Sequence, residues 1–403
     1  MRILLVTDDY YPSMKSGAKM IRDLAREFVR RGHQATVLTP SDCIAAGLEI
    51  ADEDGLRAVR VKLANLKKIN KPLRAWRESR LSSNLWAGAG KFLRQNPHDL
   101  VIFYSPSIFL AGLVGKLKKI WHCPAYLVLR DIFPKWAVEA GVIGKGMAYR
   151  YLRRHELSQY AVADVIGVEA PGSLQYCAND PTLKNHCVEI LYSWAESYKS
   201  PSRNSRDRDR LGLNGKTVFF YGGNIGVAQD MDNIVRLAEN LRHRDDIFFL
   251  LVGDGSEVPR LQSEIVARGL QNLKILPPVP QEDYLEMLAQ FDIGMVSLDR
   301  RLTSHNIPGK LFGYLNVCMP VLASLNPGNN LAELLHQANA GIAVENGNDQ
   351  ALRDAALRLG DNLDLRREMG ANARQMLEKK FSVQAAADQI LAHFISARSE
   401  RTA

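Results

Sequence analysis

A chain of 403 residues exceeds what one ordinary hydrophobic core serves, so two domains are expected. Its 46% hydrophobic and 24% charged side chains are those of a globular protein, and no apolar run reaches the roughly 20 residues of a membrane-spanning helix. Five scattered cysteines, Cys43, Cys123, Cys177, Cys187 and Cys318, form no Cys-x-x-Cys pair; they argue against a disulfide framework or a zinc site and fit reduced thiols of a cytoplasmic protein.

The net charge of +8 belongs to the first half. Residues 1–200 hold 29 Lys and Arg against 19 Asp and Glu, a balance of +10, and the rest hold 23 against 25, a balance of −2. Within residues 60–95, ten basic side chains meet a single acid, Glu78, interleaved with Leu63, Leu66, Ile69, Leu73, Trp76, Leu81, Leu85 and Trp86. Such a mixture can lie on anionic lipid, bind nucleic acid, or form a solvated helix face whose tryptophans point into the core. The near-absence of acids over this length favours membrane contact.

In chain order, RILLVT (2–7) reads as a parallel strand apolar on both faces, too short in its apolar part for a signal peptide. The loop DDYYPSMKSGAK leads into a helix with Ile21, Leu24, Ala25, Phe28 and Val29 at helical spacing. Gly32 stops that helix before the strand QATVLTP. Strand, glycine-bearing loop, helix and strand make a Rossmann-like unit, in which Gly17 would let the backbone approach a ligand or simply relieve a turn. Further strands at GLRAVRVKL, DLVIFYS, AYLVLRD, VIGVE and VEILYS alternate with helices at about 81–95, 108–119, 146–161 and 172–177. After Trp194 the composition turns polar and charged through AESYKSPSRNSRDRDR, which reads as a linker.

A second alternation follows: strands TVFFYGG, IFFLLVGDG, LKILPPV, DIGMVSL, PVLASL and AGIAVE, with helices between them, at about 348–360 and at about 364–380. A last helix, FSVQAAADQILAHFISARS, carries Ile390, Leu391 and Phe394 on one side. The whole is of α/β class, with two mostly parallel sheets.

Three stretches can carry chemistry. Thr303 to Pro320, TSHNIPGKLFGYLNVCMP, places a Pro-Gly turn and Lys310 at the start of a helix after an apolar strand, where free N–H groups and the helix dipole favour an anion such as a diphosphate. Lys310 as a solvated surface lysine is the plain alternative. The loop FYGGNIGVAQDMDN has Gly222, Gly223 and Gly226 in the form of an anion-binding nest, with Asn224 and Gln229 as neutral hydrogen-bonding groups; a structural turn would look similar. Arg130 and Asp131 end the strand AYLVL, where Asp131 could orient or deprotonate an acceptor hydroxyl and Arg130 meet a phosphate, unless the two pair with each other. LVGDGSEVPRL has Gly253 and Gly255 but no third glycine, so the dinucleotide fingerprint fails, and no P-loop is present. The acid pairs Asp52/Asp54 and Asp207/Asp209 read as solvated, and no metal is expected.

Taken together, YYPSMKSGAK, RRGHQATVLTP, LRDIFPKWAVEAG, FFYGGNIGVAQDMDNIV, LLVGDGSEVPRL and PGKLFGYLNVCMPVLAS resemble, in order and spacing over essentially the whole chain, a family 4 nucleotide-sugar glycosyltransferase of GT-B architecture. Within that family, ILLVTDDYYP, YSPSIF, LRDIFPKWAVEAG, FYGGNIGVAQDM and TSHNIPGKLFGYL look most like bacterial O-antigen and capsule transferases that add N-acetyl-L-fucosamine from its UDP donor.

The resemblance implies two Rossmann-like domains facing a central cleft. Residues 1–197 would receive a lipid-linked saccharide acceptor, residues 198–212 would be a linker, residues 213–381 would bind UDP-sugar, and the helix at about 382–400 would pack back on the first domain. It places Gly17, Gly223, Asn224, Gln229, Gly253, Asp254, Gly255, Asn306, Gly309 and Lys310 around the donor, Gly253 to Gly255 flanking the uracil. Asp131, His305 and Lys310 would be catalytic, with Arg130 and Asp131 on the acceptor side. The partners are UDP-sugar, the acceptor and, through residues 60–95, the inner face of the cytoplasmic membrane; no cofactor and no nucleic acid is implied.

Departures from the family pattern matter. Where relatives commonly carry two glutamates eight positions apart, this chain has His305 and Gly313, so no ribose-binding glutamate is carried over. The Arg and Lys that commonly hold the diphosphate are matched by Asn224 and Gln229. Lys310 is then the cation left for the leaving group, with a charge-assisted hydrogen bond contributing ~1.5–3 kcal/mol. Asp131 as a base would imply inversion, whereas the family usually retains configuration. Rival readings are a noncatalytic nucleotide-sugar-binding protein and a basic nucleic-acid-binding α/β protein.

Overall fold

The computed structural model describes residues 1–13, 15–45, 47–64, 71–139, 142–198, 205–302 and 307–399. The chain forms two compact units, Met1–Glu196 with Val383–Ala403, and Ser197–Ser382.

The first unit holds an eight-stranded sheet: β1 (Arg2–Val6), β2 (Gln34–Ser41), β3 (Leu48–Glu53), β4 (Leu56–Lys62), β5 (Leu100–Ser105), β6 (Ala125–Leu129), β7 (Val165–Val168) and β8 (Cys187–Ile190), in the order β3-β4-β2-β1-β5-β6-β7-β8. All pairs are parallel except β3 with β4. Side chains alternate across a strand, so an apolar run fills two cores. Leu4 and Val6 join Phe103, Leu127, Leu85 and Leu113 on one face. Ile3 and Leu5 join Ile102, Val128, Ile21, Leu24 and Phe28 on the other.

The second of these cores is completed by the far end of the chain. Helix Val383–Ser399 lies on helix Ser16–Arg30 and buries Ile390, Leu391 and Phe394, each worth about 1.5–3 kcal/mol against exposure. Glu27, 3% exposed, is held by Arg30 and Arg31, and Arg31 also reaches Asp388 and the Gln384 carbonyl.

Strand β3, which pairs as a hairpin with the expected strand β4, is an addition to the sequence reading. Asp54 and Gly55 turn with positive φ (60° and 83°), the two-residue turn that matches strand twist. Asp52 caps that turn by accepting from Gly55 N–H at 3.0 Å and Asp54 pairs with Arg26, so both acids have structural work and neither is merely solvated.

Residues 198–212 are not a plain linker where described. From Arg206 to Leu211 they form a helix whose Arg208 bonds the Gln290 carbonyl and pairs with Asp292, while Asp207 N–H donates to Gln290 Oε1 at 2.7 Å. The charges that suggested solvent are ties to the second unit.

The second unit has a six-stranded, wholly parallel sheet: β9 (Thr217–Gly222), β10 (Ile247–Val252), β11 (Leu273–Leu276), β12 (Ile293–Ser297), β13 (Val321–Leu325) and β14 (Gly341–Glu345), in the order β11-β10-β9-β12-β13-β14. From β9 the chain winds outward one way and from β12 the other, which makes the gap beyond their carboxyl ends the switch point where such sheets bind ligands. In the first unit the same reversal falls between β1 and β5.

Candidate functional site

At the switch point of the second unit, β9 ends in Tyr221-Gly222, Gly223 follows, and the chain after β12 leads to helix Lys310–Asn316. Lys310 Nζ lies 3.7 Å from the centroid of the Tyr221 ring and donates to the Tyr221 hydroxyl, which donates in turn to the Asn224 carbonyl at 2.5 Å. A side chain on Gly223 (φ 119°) would come 3.6 Å from Lys310 Cε, so the lysine and the glycine loop adjoin. Desolvation pushes the Lys310 amine down to about 7. Gly309 is exposed, and a methyl group there would meet no described atom within 4 Å.

Several expected contacts are turned elsewhere. The helix that begins at Lys310 has only seven residues, and two of its early N–H groups are engaged, Leu311 to the Pro308 carbonyl at 3.0 Å and Phe312 to the Gly309 carbonyl at 3.3 Å. Its dipole is correspondingly a weak anion site, and the N–H groups of Gly222 and Gly223 are likewise spent on the Tyr314 hydroxyl and the Val252 carbonyl, so the weight falls on Lys310. Asn224 and Gln229 bond each other (Nδ2 to Oε1, 2.7 Å), and Gln229 Oε1 also accepts from Gly226 N–H at 3.1 Å. The pair braces the loop.

Gly253 is buried: its N–H donates to the Leu276 carbonyl at 3.0 Å, and a Cβ there would stand 1.8 Å from the Gly223 carbonyl oxygen. It is a glycine because the Gly223 carbonyl fills the space a side chain would need. Asp254 is exposed beside it and accepts from Gly255 N–H at 2.8 Å, and Gly255 admits the Ile225 carbonyl, which would lie 2.2 Å from a Cβ. His305 and Asn306 lie outside the described residues.

Gly313, where the ribose-binding glutamate was missing, faces Leu288 and Tyr284; a Cβ would stand 3.2 and 3.3 Å from their side chains. Tyr314 on the same helix accepts from Gly222 N–H at 3.2 Å and donates to the Met295 carbonyl at 2.9 Å, tying β9, β12 and the helix together.

In the first unit, Gly17 sits at the switch point against Tyr104; a Cβ would come 2.8 Å from the Tyr104 hydroxyl, so the close approach is to this ring. Strand ends β5, β6 and β7 bring Tyr104, Asp131 and Glu169 within electrostatic reach of one another. Desolvation and then Glu169 raise the Asp131 carboxyl, with Arg130 opposing, although Asp131 stays open to solvent on the surface of its unit.

Arg130 departs from the phosphate-binding expectation. Its guanidinium donates to the Leu191 carbonyl at 2.5 Å and the Tyr192 carbonyl at 3.2 Å and stands 5.0 Å from the Trp194 ring centroid, so it braces the chain after β8. Residues 60–95 are also only partly a surface. Arg60 is buried against Glu49 and Glu53, Lys62 bonds the Ile44 carbonyl, and Leu81, Leu85 and Trp86 pack in or against the core. Residues 65–70, with Leu66 and Ile69, lie outside the described residues; among those described, Trp76 is 56% exposed on helix Lys71–Ser79, with Arg74, Arg77 and Arg80 near it.

Residues 17–169 match the Glycosyl transferase 4-like domain and residues 204–376 match Glycosyl transferases group 1. The chain is built from two glycosyltransferase domains. Among similar proteins, one named as a probable glycosyltransferase, WbjE of Pseudomonas aeruginosa, is 26% identical over 266 residues, 64% of each chain. One named as a colanic acid biosynthesis glycosyl transferase, WcaI of Escherichia coli K12, is 29% identical over 254 residues, 61% of this chain and 62% of its own. The chain thus spans less than two thirds of the curated relatives it matches. Anabaena HepE, solved in complex with UDP, superposes with a TM-score of 0.67 at 16% identity, over 98% of this chain and 100% of that one. The fold is GT-B.

Within the group 1 domain the sequence reading found Lys310 and Gly223 but missed Tyr221, the residue that joins them. Its signal was a phenol at the carboxyl end of a central strand, directly before Gly222-Gly223, hidden in an aromatic run that reads as core. Tyr284, which covers Gly222 and Gly313, gave no such signal. In the 4-like domain, Glu169 escaped notice because only β6–β7 pairing brings it beside Asp131.

Among the described residues, no group of three or more His, Cys, Asp or Glu is arranged to hold a metal ion, and no helix is long and apolar enough to cross a membrane.

Proposed function

We propose that the protein is a glycosyltransferase that moves a sugar from a UDP-sugar, N-acetyl-L-fucosamine being the donor sugar to test first, to a lipid-linked saccharide of bacterial surface polysaccharide synthesis. The observation that carries the reading is Lys310 beside the Gly223 loop at the switch point of the group 1 domain. Departure of UDP leaves negative charge on the β-phosphate, and preorganised donors there lower the barrier. Lys310 supplies one, whereas the N–H groups of Gly222, Gly223 and Gly226 are already taken by the Tyr314 hydroxyl, the Val252 carbonyl and Gln229 Oε1, so the expected glycine nest is closed; the reading calls on no metal. UDP in the HepE complex supports the donor class, and the named role of WcaI in colanic acid biosynthesis supports the polysaccharide setting.

On the acceptor side, Asp131 is the candidate base, since a carboxyl raised by its surroundings is a better proton acceptor from a sugar hydroxyl. Trp76 and the arginines about it supply an amphipathic contact for an anionic membrane on the cytoplasmic side. The test is UDP release from a panel of UDP-sugars, UDP-N-acetyl-L-fucosamine included, with a lipid-linked acceptor. Release from one donor, with product anomer read by NMR, is expected; UDP binding with no turnover on any donor would instead leave a nucleotide-sugar-binding protein.

A further inference from the structure

Lys310 is the cation the nucleotide reading rests on, yet no described residue offers it a carboxylate. Among the described residues its side-chain partner is a phenol, Tyr221 from β9; Tyr314 from its own helix and Tyr284 from helix Gln281–Leu288 pack on the adjoining Gly222, and Tyr284 also covers Gly313. Burial raises all three well above the usual tyrosine range, so they stay neutral. Asp254, on the adjoining loop, turns an oxygen to the Gly255 N–H.

Tyr221 has one proton, and the Asn224 carbonyl takes it. Toward Lys310 the hydroxyl is therefore an acceptor only, able to hold a neutral amine and an ammonium alike. The ring face adds a weak attraction for the charged form. Desolvation outweighs that, and the amine sits near half ionisation at neutral pH. An arriving diphosphate supplies the opposite charge that the protein leaves out.

We propose that Tyr221 is a positioning residue that holds Lys310 ready to take up a proton when the diphosphate arrives, so that nucleotide binding and proton uptake are linked. This deepens the glycosyltransferase reading and rests on it. Below neutrality Lys310 is already charged and little uptake follows. Above it the free amine loses its proton and the complex keeps it, so affinity falls as pH rises, and release of the nucleotide returns the proton to solvent.

The test is calorimetric titration of UDP into the full chain at about pH 8, in two buffers of different ionisation enthalpy. A phosphate monoester with a second pKa of about 6 is fully ionised there and takes no part. Uptake close to one proton per UDP is expected, with affinity falling about tenfold between roughly pH 8 and 9. Lys310→Arg, permanently charged, should bind UDP with no uptake and no such pH dependence. Tyr221→Phe should weaken UDP about fivefold, the size of one lost hydrogen bond. Added to Lys310→Ala, it should cost nothing further, which a merely structural tyrosine would not do.

Equal heats in the two buffers for the wild type would overturn the linkage and leave the nucleotide reading standing. Full UDP affinity in Tyr221→Phe, or additive losses in the double variant, would overturn the positioning role. No UDP binding by the wild type would overturn both the inference and the reading beneath it.

Discussion

The two domains treat buried charge in opposite ways. In the 4-like domain three enclosed carboxylates are answered by arginines: Glu27 by Arg30 and Arg31, and Glu156 and Asp180 by Arg153. In the group 1 domain Lys310 is answered, among the described residues, by one phenol, Tyr221. An enclosed ion with its counter-charge is architecture, and its removal costs stability. One left with neutral partners gives the fold little, and its position at a switch point makes it a site.

Substitutions at Lys310 break this comparison most sharply. Lys310→Ala is expected to lower kcat by about 10²–10³, the usual effect of losing one preorganised donor to the departing charge, with unfolding by denaturant unchanged or slightly later. Wild-type turnover in this variant would remove the centre of the functional reading. Asp131→Asn comes next, with turnover lowered about 10²-fold if the carboxylate accepts the acceptor's proton; full activity would end its role as base. Gly313→Glu, which restores the residue type of many relatives, should destabilise by about 1–3 kcal/mol in a denaturant melt, because its Cβ presses on Leu288 and Tyr284. A variant as stable as the wild type would show that the tyrosine cluster can yield.

The sheets were legible because parallel strands buried on both faces read as unbroken apolar runs, as in RILLV and IFFLLV. The edge strand β3 was not, since LEIADE alternates weakly and the Asp54-Gly55 turn that joins it to β4 was weighed only for its acid. Helix Arg206–Leu211 was hidden by its own charges, whose partners Gln290 and Asp292 lie some eighty residues away. At the site, Lys310 and Gly223 followed from strand–loop–helix order. The mutual engagement of Asn224 with Gln229, the packing role of Gly253 and the inward turn of Arg130 depend on side-chain directions that no spacing encodes.

The contrast between the domains also predicts two pH windows of opposite sign. Asp23, 8% exposed on helix Ser16–Arg30, is raised to about 6 by burial from an ordinary 3.8. Between those values the folded chain holds more protons than the unfolded one, so this group's contribution is complete at low pH and is lost as pH rises through about 6, about 3 kcal/mol in all. Lys310 is lowered to about 7 from 10.5, so above neutrality the unfolded chain holds more protons and stability rises, by about 2 kcal/mol between roughly pH 7 and 9. Each share is read as a difference between the wild type and one variant, which cancels the other titrating groups. Asp23→Asn should lack the fall between about pH 4 and 7, and Lys310→Met the rise above 7. A Lys310→Met curve parallel to the wild type above neutrality would mean that the amine is already charged in the free protein, and the contrast between the domains would lose its second half.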